Sequence, residues 1–234
     1  MKGGVCYFLW DRDHDGPCVV ENVSAGRVVS RATRRLDAAD VFIRFNEALS
    51  ILEKVRARGE PTIARTISSG VPFGLRTNIR DFAPEKFRGA VRIYSEKSKG
   101  WVARARLTTN RAWIDRWKVL VSEAYGAGEG FPHQILGVPI VPEKTSACTQ
   151  TYLVAGTFGS KREAENRAAY MKTRFFRFLV SLRKSTQHAP RDAYRFVPDL
   201  DMKTRWTDDA LARRYGFTKA ERDFIASMIT EMPS

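Results

Sequence analysis

The stretch from Gly159 to Gln187, GSKREAENRAAYMKTRFFRFLVSLRKSTQ, constrains the rest of the chain most. Ser160 followed three residues later by Glu163 is a capping box: the hydroxyl and the carboxylate each take a backbone N–H left unpaired at a helix start. The spacing predicts one helix from about Lys161 to just short of Gln187. Ala164, Ala168, Met171, Phe175, Phe178 and Leu182 recur at alternating steps of four and three, which places them on one apolar stripe facing a core. Arg167, Tyr170, Arg174, Arg177, Ser181 and Lys184 form a second stripe about a third of a turn away, at roughly 100° per residue. One element thus carries a core face and a cationic face.

Between positions 161 and 191 there are nine Lys or Arg against two Glu, so this segment carries half of the chain's net charge of +14. A charged helical face is also what a merely solvated helix presents, and long basic stems often just cover apolar surface. In a chain this basic throughout, the same face points to a polyanion. Nucleic acid comes ahead of an acidic protein or a membrane surface.

With 234 residues, the chain can bury a core as one large or two modest domains. Its 43% hydrophobic and 11% aromatic content is that of a folded protein, so the charge does not signal disorder. Cys6, Cys18 and Cys148 are odd in number and lack C-x-x-C spacing, which argues against a disulfide framework or structural zinc. No stretch approaches the roughly 20 apolar residues of a membrane span, and VCYFLW is too short for a secretory signal. A soluble cytoplasmic protein is the expectation.

Read in order, KGGVCYFLW predicts a buried opening strand that DRDHDGP ends in a tight turn, with a second strand over Cys18–Val23. A chain that starts on a core strand reads as the tail of something larger. We expect a hairpin over 1–30 and a main body over 31–234. A helix is predicted from Asp37 to Arg58, with Val41, Phe45, Ala48, Leu52 and Val55 inward and Gly59 as its stop. Strands are predicted over 62–68, 91–94, 100–105, 117–122, 138–141, 149–155 and 194–197. SSGVPFGLRTN, from Ser68 to Asn78, reads as an ordered loop. Thr207 and Gly216 bound a short helix, and a capping box of Thr218 with Glu221 starts a last one from Lys219 to about Ile229. The fold class is mixed α/β of the α+β kind, with amphipathic helices around irregular β structure.

Chemical motifs are sparse. Asp11, Asp13, Asp15 and Gly16 spell half of a calcium loop, but the twelfth position is Asn22, so an acidic turn is the better account. Gly126, Gly128 and Gly130 follow a strand, yet Pro132 and Pro139 exclude the helix a phosphate cradle needs. Asp199, Asp201 and Lys203 are residue types that a magnesium nuclease uses, although crowded within five residues. The two last helices have the outline of a helix-turn-helix, but Glu221, Asp223 and Glu231 would repel phosphate, and a packing hairpin is expected.

Several long phrases together resemble one family: KGGVCYFLWDRD (2–13), SSGVPFGLRTN (68–78), KVLVSEAYGAGEGFPHQILGVPI (118–140), and TQTYLVAGTF with KTRFFRFLVSLRKSTQ (149–187). The likeness continues through RFVPDLD and WTDDALARRYGFTKAERDFI. It is to the C-terminal part of adenine-specific (N6) DNA methyltransferases of restriction-modification systems, including types with a fused endonuclease. In that family the N-terminal part binds S-adenosylmethionine through a glycine motif and positions adenine with N-P-P-Y or D-P-P-Y. This sequence contains no Pro-Pro pair. The resemblance therefore implies a target-recognition domain over 31–234, behind a hairpin resembling the end of the methylase sheet. Its partners would be double-stranded DNA and a catalytic methyltransferase domain or subunit that holds the S-adenosylmethionine.

On that reading Arg174, Arg177 and Lys184, with Arg167 on the same stripe, suit clamping of phosphates. Arg76 and Asn78 suit base reading, since Arg pairs bidentately with guanine and Asn with adenine in the major groove. Gln187 suits either role. For Asn78, a turn residue bonding its own backbone is an equal alternative. No catalytic, cofactor or metal residue is assigned. Two rival readings remain: a magnesium-dependent nuclease built on Asp199, Asp201 and Lys203, and a non-catalytic module binding RNA or an acidic protein.

Overall fold

A computed structural model describes residues 5–79, 81–96, 100–126 and 130–232, and the fold is mixed α+β. Strands β1 (Cys18–Ser24) and β2 (Arg27–Arg34) form an antiparallel hairpin. Its two-residue turn is Ala25–Gly26, both at positive φ (48° and 75°), the turn whose twist matches that of the flanking strands. Helix α1 (Glu47–Arg56) follows, then β3 (Ala90–Tyr94), β4 (Gly100–Ala103), β5 (Trp117–Ser122), β6 (Ser146–Cys148) and β7 (Tyr152–Phe158). The last four elements are helices: α2 (Lys161–Lys172), α3 (Arg174–Ser181), α4 (Asp208–Tyr215) and α5 (Lys219–Met228). Among the described residues no helix is long and apolar enough to cross a membrane.

The two-stranded antiparallel sheet of β5 and β7 divides the interior. Side chains of a strand alternate between faces, and here both faces are covered. Val119, Val121, Leu153 and Ala155 join the larger core with all five helices, while Leu120 and Val154 join a smaller one. That smaller core holds Phe73, Leu75, Ile93 and Val102 beneath a three-stranded sheet in the order β4-β3-β6. Burial on both sides explains why VLV and LVA read as continuous apolar runs. Lys118 falls by the same alternation on the side of the smaller core, fully buried, donating to the Ile114 carbonyl and the Ser146 hydroxyl at 3.1 Å each.

Both predicted capping boxes form, at Ser160 with Glu163 and at Thr218 with Glu221, and Gly216 ends α4 in the left-handed region. Leu211, Tyr215, Ile225 and Met228 are buried, so α4 and α5 both pack against the larger core. Several other expectations are corrected. The opening segment is no strand over its described part and is not buried: Val5, Tyr7, Phe8, Leu9 and Trp10 are 71–92% exposed. Apolar alternation supplies strand propensity, but a strand exists only with a ladder partner, and none of the described strands pairs with it.

Helix α1 begins ten residues later than the sequence indicates, because Asp37 pairs with Arg35 and Asn46 bonds Val20 O and Ser30 Oγ of the hairpin. The expected strand at 62–68 is a 3-10 turn, Ile63–Thr66, which Thr62 caps through Ala64 N. Bridges of Thr62 to Pro198 and Ile67 to Ala155 flank it. Residues 138–141 keep one bridge, Ile140 to Leu120, as Pro139 and Pro142 have no N–H for a ladder. The expected strand at 194–197 does not form: a 3-10 turn, Arg191–Tyr194, ends where it would begin, and a turn follows.

Candidate nucleic-acid interface

The long central helix is two helices. Thr173, at φ −60° and ψ 148°, closes α2 and caps α3 at once, its hydroxyl accepting from Phe176 N at 3.1 Å. The carboxylate of Asp208 completes the second start by accepting from Arg174 N and Phe175 N at 3.0 and 2.8 Å. The break moves the cationic stripe inward. Arg167, Tyr170, Arg177 and Ser181 are buried, as are the apolar stripe residues from Ala164 to Phe178.

Arg177 is therefore no phosphate clamp in this fold. Its Nε and Nη2 donate to the Lys172 carbonyl at 3.1 and 2.9 Å, and Nη1 donates to Gln134 O at 3.2 Å. A guanidinium placed there satisfies carbonyls at the C-terminus of α2, where cations are favoured. Burial pulls its pKa down to about 10. Arg167 pairs with Asp199 at 2.5 Å, and its other donors, Nε and Nη1, have no partner. Arg174, partly exposed, lies 3.5 Å from Glu231. Lys184 donates to Tyr125 O at 2.8 Å.

Gln187 is exposed, and its backbone carbonyl accepts from Tyr125 N at 2.9 Å. The segment after α3 thus pins the chain that leads into the glycine loop; of its three glycines Gly128 lies outside the described residues.

The loop at Arg76 is differently built. Phe73 and Leu75 are buried in the smaller core, which anchors a turn whose next three residues, Arg76, Thr77 and Asn78, are all exposed. Gln150 fixes it twice, from its backbone N to Leu75 O at 3.0 Å and from Nε2 to the Thr77 hydroxyl at 3.2 Å. Among the described residues the side chains of Arg76 and Asn78 have no ion-pair or hydrogen-bond partner, so Asn78 does not bond its own turn.

Asp199 is committed to Arg167, and the Asp201 carboxylate accepts from Lys203 N at 2.9 Å. Among the described residues no group of three or more His, Cys, Asp or Glu is placed to hold a metal ion. The acidic turn after Trp10 is a local one, with Asp11 Oδ1 accepting from Asp13 N at 3.0 Å.

Sequence reasoning missed a cleft of about 490 Å³ beside the β7 edge, lined by Arg65, Arg167, Arg191, Asn110, Trp113 and Phe158, among others. Arg65, Trp113 and Arg191 each belong to a 3-10 turn. Such turns have no sequence period to detect, and two of the three segments read as strand or strand flank. A second cleft, of about 360 Å³, is lined by Arg56, Arg183 and Arg195 together with the carboxylates Asp40 and Glu60, and Arg183 is paired to both Asp40 and Asp192. Compared with protein-family models, curated proteins and solved structures, the chain matches none.

Proposed function

We propose that this chain binds double-stranded DNA as the target-recognition part of an N6-adenine DNA methyltransferase or restriction-modification enzyme, beside a separate catalytic domain or subunit. The observation that carries the reading is the loop of Arg76, Thr77 and Asn78. Its backbone is held by buried neighbours and by Gln150, while the exposed side chains of Arg76 and Asn78 make no hydrogen bond or ion pair among the described residues. A positioned frame with unengaged Arg and Asn is what direct readout in a major groove requires. The net charge of +14 supports an anionic partner. Methyl transfer is assigned to the partner, since this sequence contains neither adenine-positioning tetrapeptide.

Titration against a mixed-sequence duplex at two salt concentrations tests the proposal. Binding should weaken by about tenfold or more for a handful of phosphate contacts between roughly 50 and 200 mM salt. Arg76→Ala should relax preference at one base pair after site selection, by about 1–3 kcal/mol of discrimination. Equal affinity for single-stranded RNA and duplex, or no duplex binding with and without the catalytic half, refutes the assignment.

A further inference from the structure

Apart from Arg167, the cleft beside β7 has a lining that the DNA reading does not use. Three of its residues are arginines, and no carboxylate lines it. Arg65 is exposed, and among the described residues its side chain has no partner. Arg191 spends only Nε, on Ile67 O at 2.7 Å, which leaves both Nη groups open. Arg167 is 3% exposed, with Nε and Nη1 unbonded, and the carboxylate that pairs with it, Asp199, is not part of the lining. Buried donors without acceptors are uncommon, because each gives up its hydration with nothing in return. Like charges brought this close repel one another unless an anion lies among them.

The rest of the lining carries two aromatic rings, Trp113 and Phe158, among small polar and aliphatic residues. Trp113 stands edge-on to Phe73 of the smaller core, with ring centroids 6.5 Å apart, and the Arg167 guanidinium lies 5.6 Å from the Phe158 ring centroid. Asn110, in the left-handed region at φ 49°, donates to Pro72 O at 2.7 Å, which fixes the amide at the mouth of the 3-10 turn that carries Trp113. The volume lies within the roughly 300–1,000 Å³ of small-molecule sites. Guanidinium groups bind phosphate oxygens in forked pairs, and aromatic faces accept a planar base.

We propose that this cleft binds a nucleoside phosphate unit, its phosphate between Arg65 and Arg191 and its base against Trp113. The unit can be a free mononucleotide or one nucleotide of a DNA strand. The site stands independently of the loop at Arg76.

The test is isothermal titration of the full chain with 2′-deoxyadenosine 5′-monophosphate, with inorganic phosphate, and with a short duplex. Two variants are compared with the unaltered chain: Arg65→Ala in the cleft, and Arg222→Ala, an exposed cation of α5 outside it. Both lose one positive charge, so a general field effect appears equally in both. The mononucleotide should bind more tightly than phosphate, and Arg65→Ala should weaken it about tenfold, the loss of one charge-assisted pair. Arg222→Ala should change it less than twofold.

A duplex that competes with the mononucleotide, and loses affinity in Arg65→Ala, makes the ligand a nucleotide of DNA. A duplex that does neither makes it a free nucleotide. No mononucleotide binding at millimolar concentration, or equal effects of the two substitutions, overturns the proposal. Duplex binding by the unaltered chain is scored separately, so failure of the cleft and failure of DNA recognition are distinguishable.

Discussion

Replacing Arg177 by methionine separates a buried helix cap from a DNA clamp. Methionine keeps most of the apolar stem and removes the guanidinium, which donates to Lys172 O and Gln134 O and is 0% exposed. The Phe176 N–H that follows the helix break is taken by the Thr173 hydroxyl, so it does not replace the lost donor at Lys172. Two part-buried carbonyls, of Lys172 and Gln134, are left short, at about 1–3 kcal/mol each. Relief of the cost of burying the charge, the same cost that lowers its pKa, offsets part of this. The expected net loss is about 3 kcal/mol. For a chain of this length that corresponds to roughly 6–12 °C in Tm, at about 2–4 °C per kcal/mol.

Urea unfolding followed by circular dichroism measures the stability, and a duplex titration of the folded variant measures DNA affinity. Stability should fall while the affinity of the folded fraction stays within about twofold. A loss under about 1 kcal/mol together with a tenfold drop in affinity would mean that Arg177 faces DNA after all, and the reasoning from burial would fail.

Lys118 provides a pH signature: burial lowers its pKa to about 8, whereas the unfolded chain keeps that proton to about 10.5. Between these values the unfolded state binds more protons, so stability should rise with pH, at up to about 1.4 kcal/mol per unit. Urea midpoints from pH 7 to 10 should show this slope and Lys118→Met should abolish it; a flat profile in the unaltered chain contradicts the burial. Gly156 sits at φ 99°, and a Cβ there would meet the Phe158 ring at 2.9 Å. Thermal melts of Gly156→Ala should therefore report a loss of about 1–3 kcal/mol. Asp208→Ala removes the acceptor for Arg174 N and Phe175 N and should cost about 1 kcal/mol, seen in amide exchange at the start of α3. Unchanged exchange there would show that Thr173 alone suffices as the cap.

Local chemistry made much of the helical structure legible. Ser160 with Glu163 and Thr218 with Glu221 form their capping boxes because the partners lie one turn apart along the chain. Gly216 ends α4 for an equally local reason, a left-handed conformation that glycine adopts freely. Strands β3, β4 and β5 were legible because apolar runs bounded by polar turns have little alternative. The opening VCYFLW shows the limit of that logic, since the same pattern without a ladder partner forms no strand and stays exposed. Of the candidate site, the loop at Arg76 was legible from its glycines and prolines, but the fate of the cationic stripe was not. Helical period says which residues share a face, and nothing in it says which face meets solvent.

What the sequence by itself determined is therefore the set of local events: helix starts and stops, the ordered loop at Arg76, an excess of positive charge, and the mixed α+β class. Tertiary structure alone decided where those charges go. It broke the central helix at Thr173, buried Arg167 and Arg177 against carbonyl and carboxylate acceptors, and drew Arg65, Trp113 and Arg191 from three separate turns into one cleft. The physical reason is range. Capping and turn chemistry act between residues a few positions apart, whereas burial of a charge depends on acceptors such as Gln134 O, 43 positions from Arg177, that only the folded chain brings near.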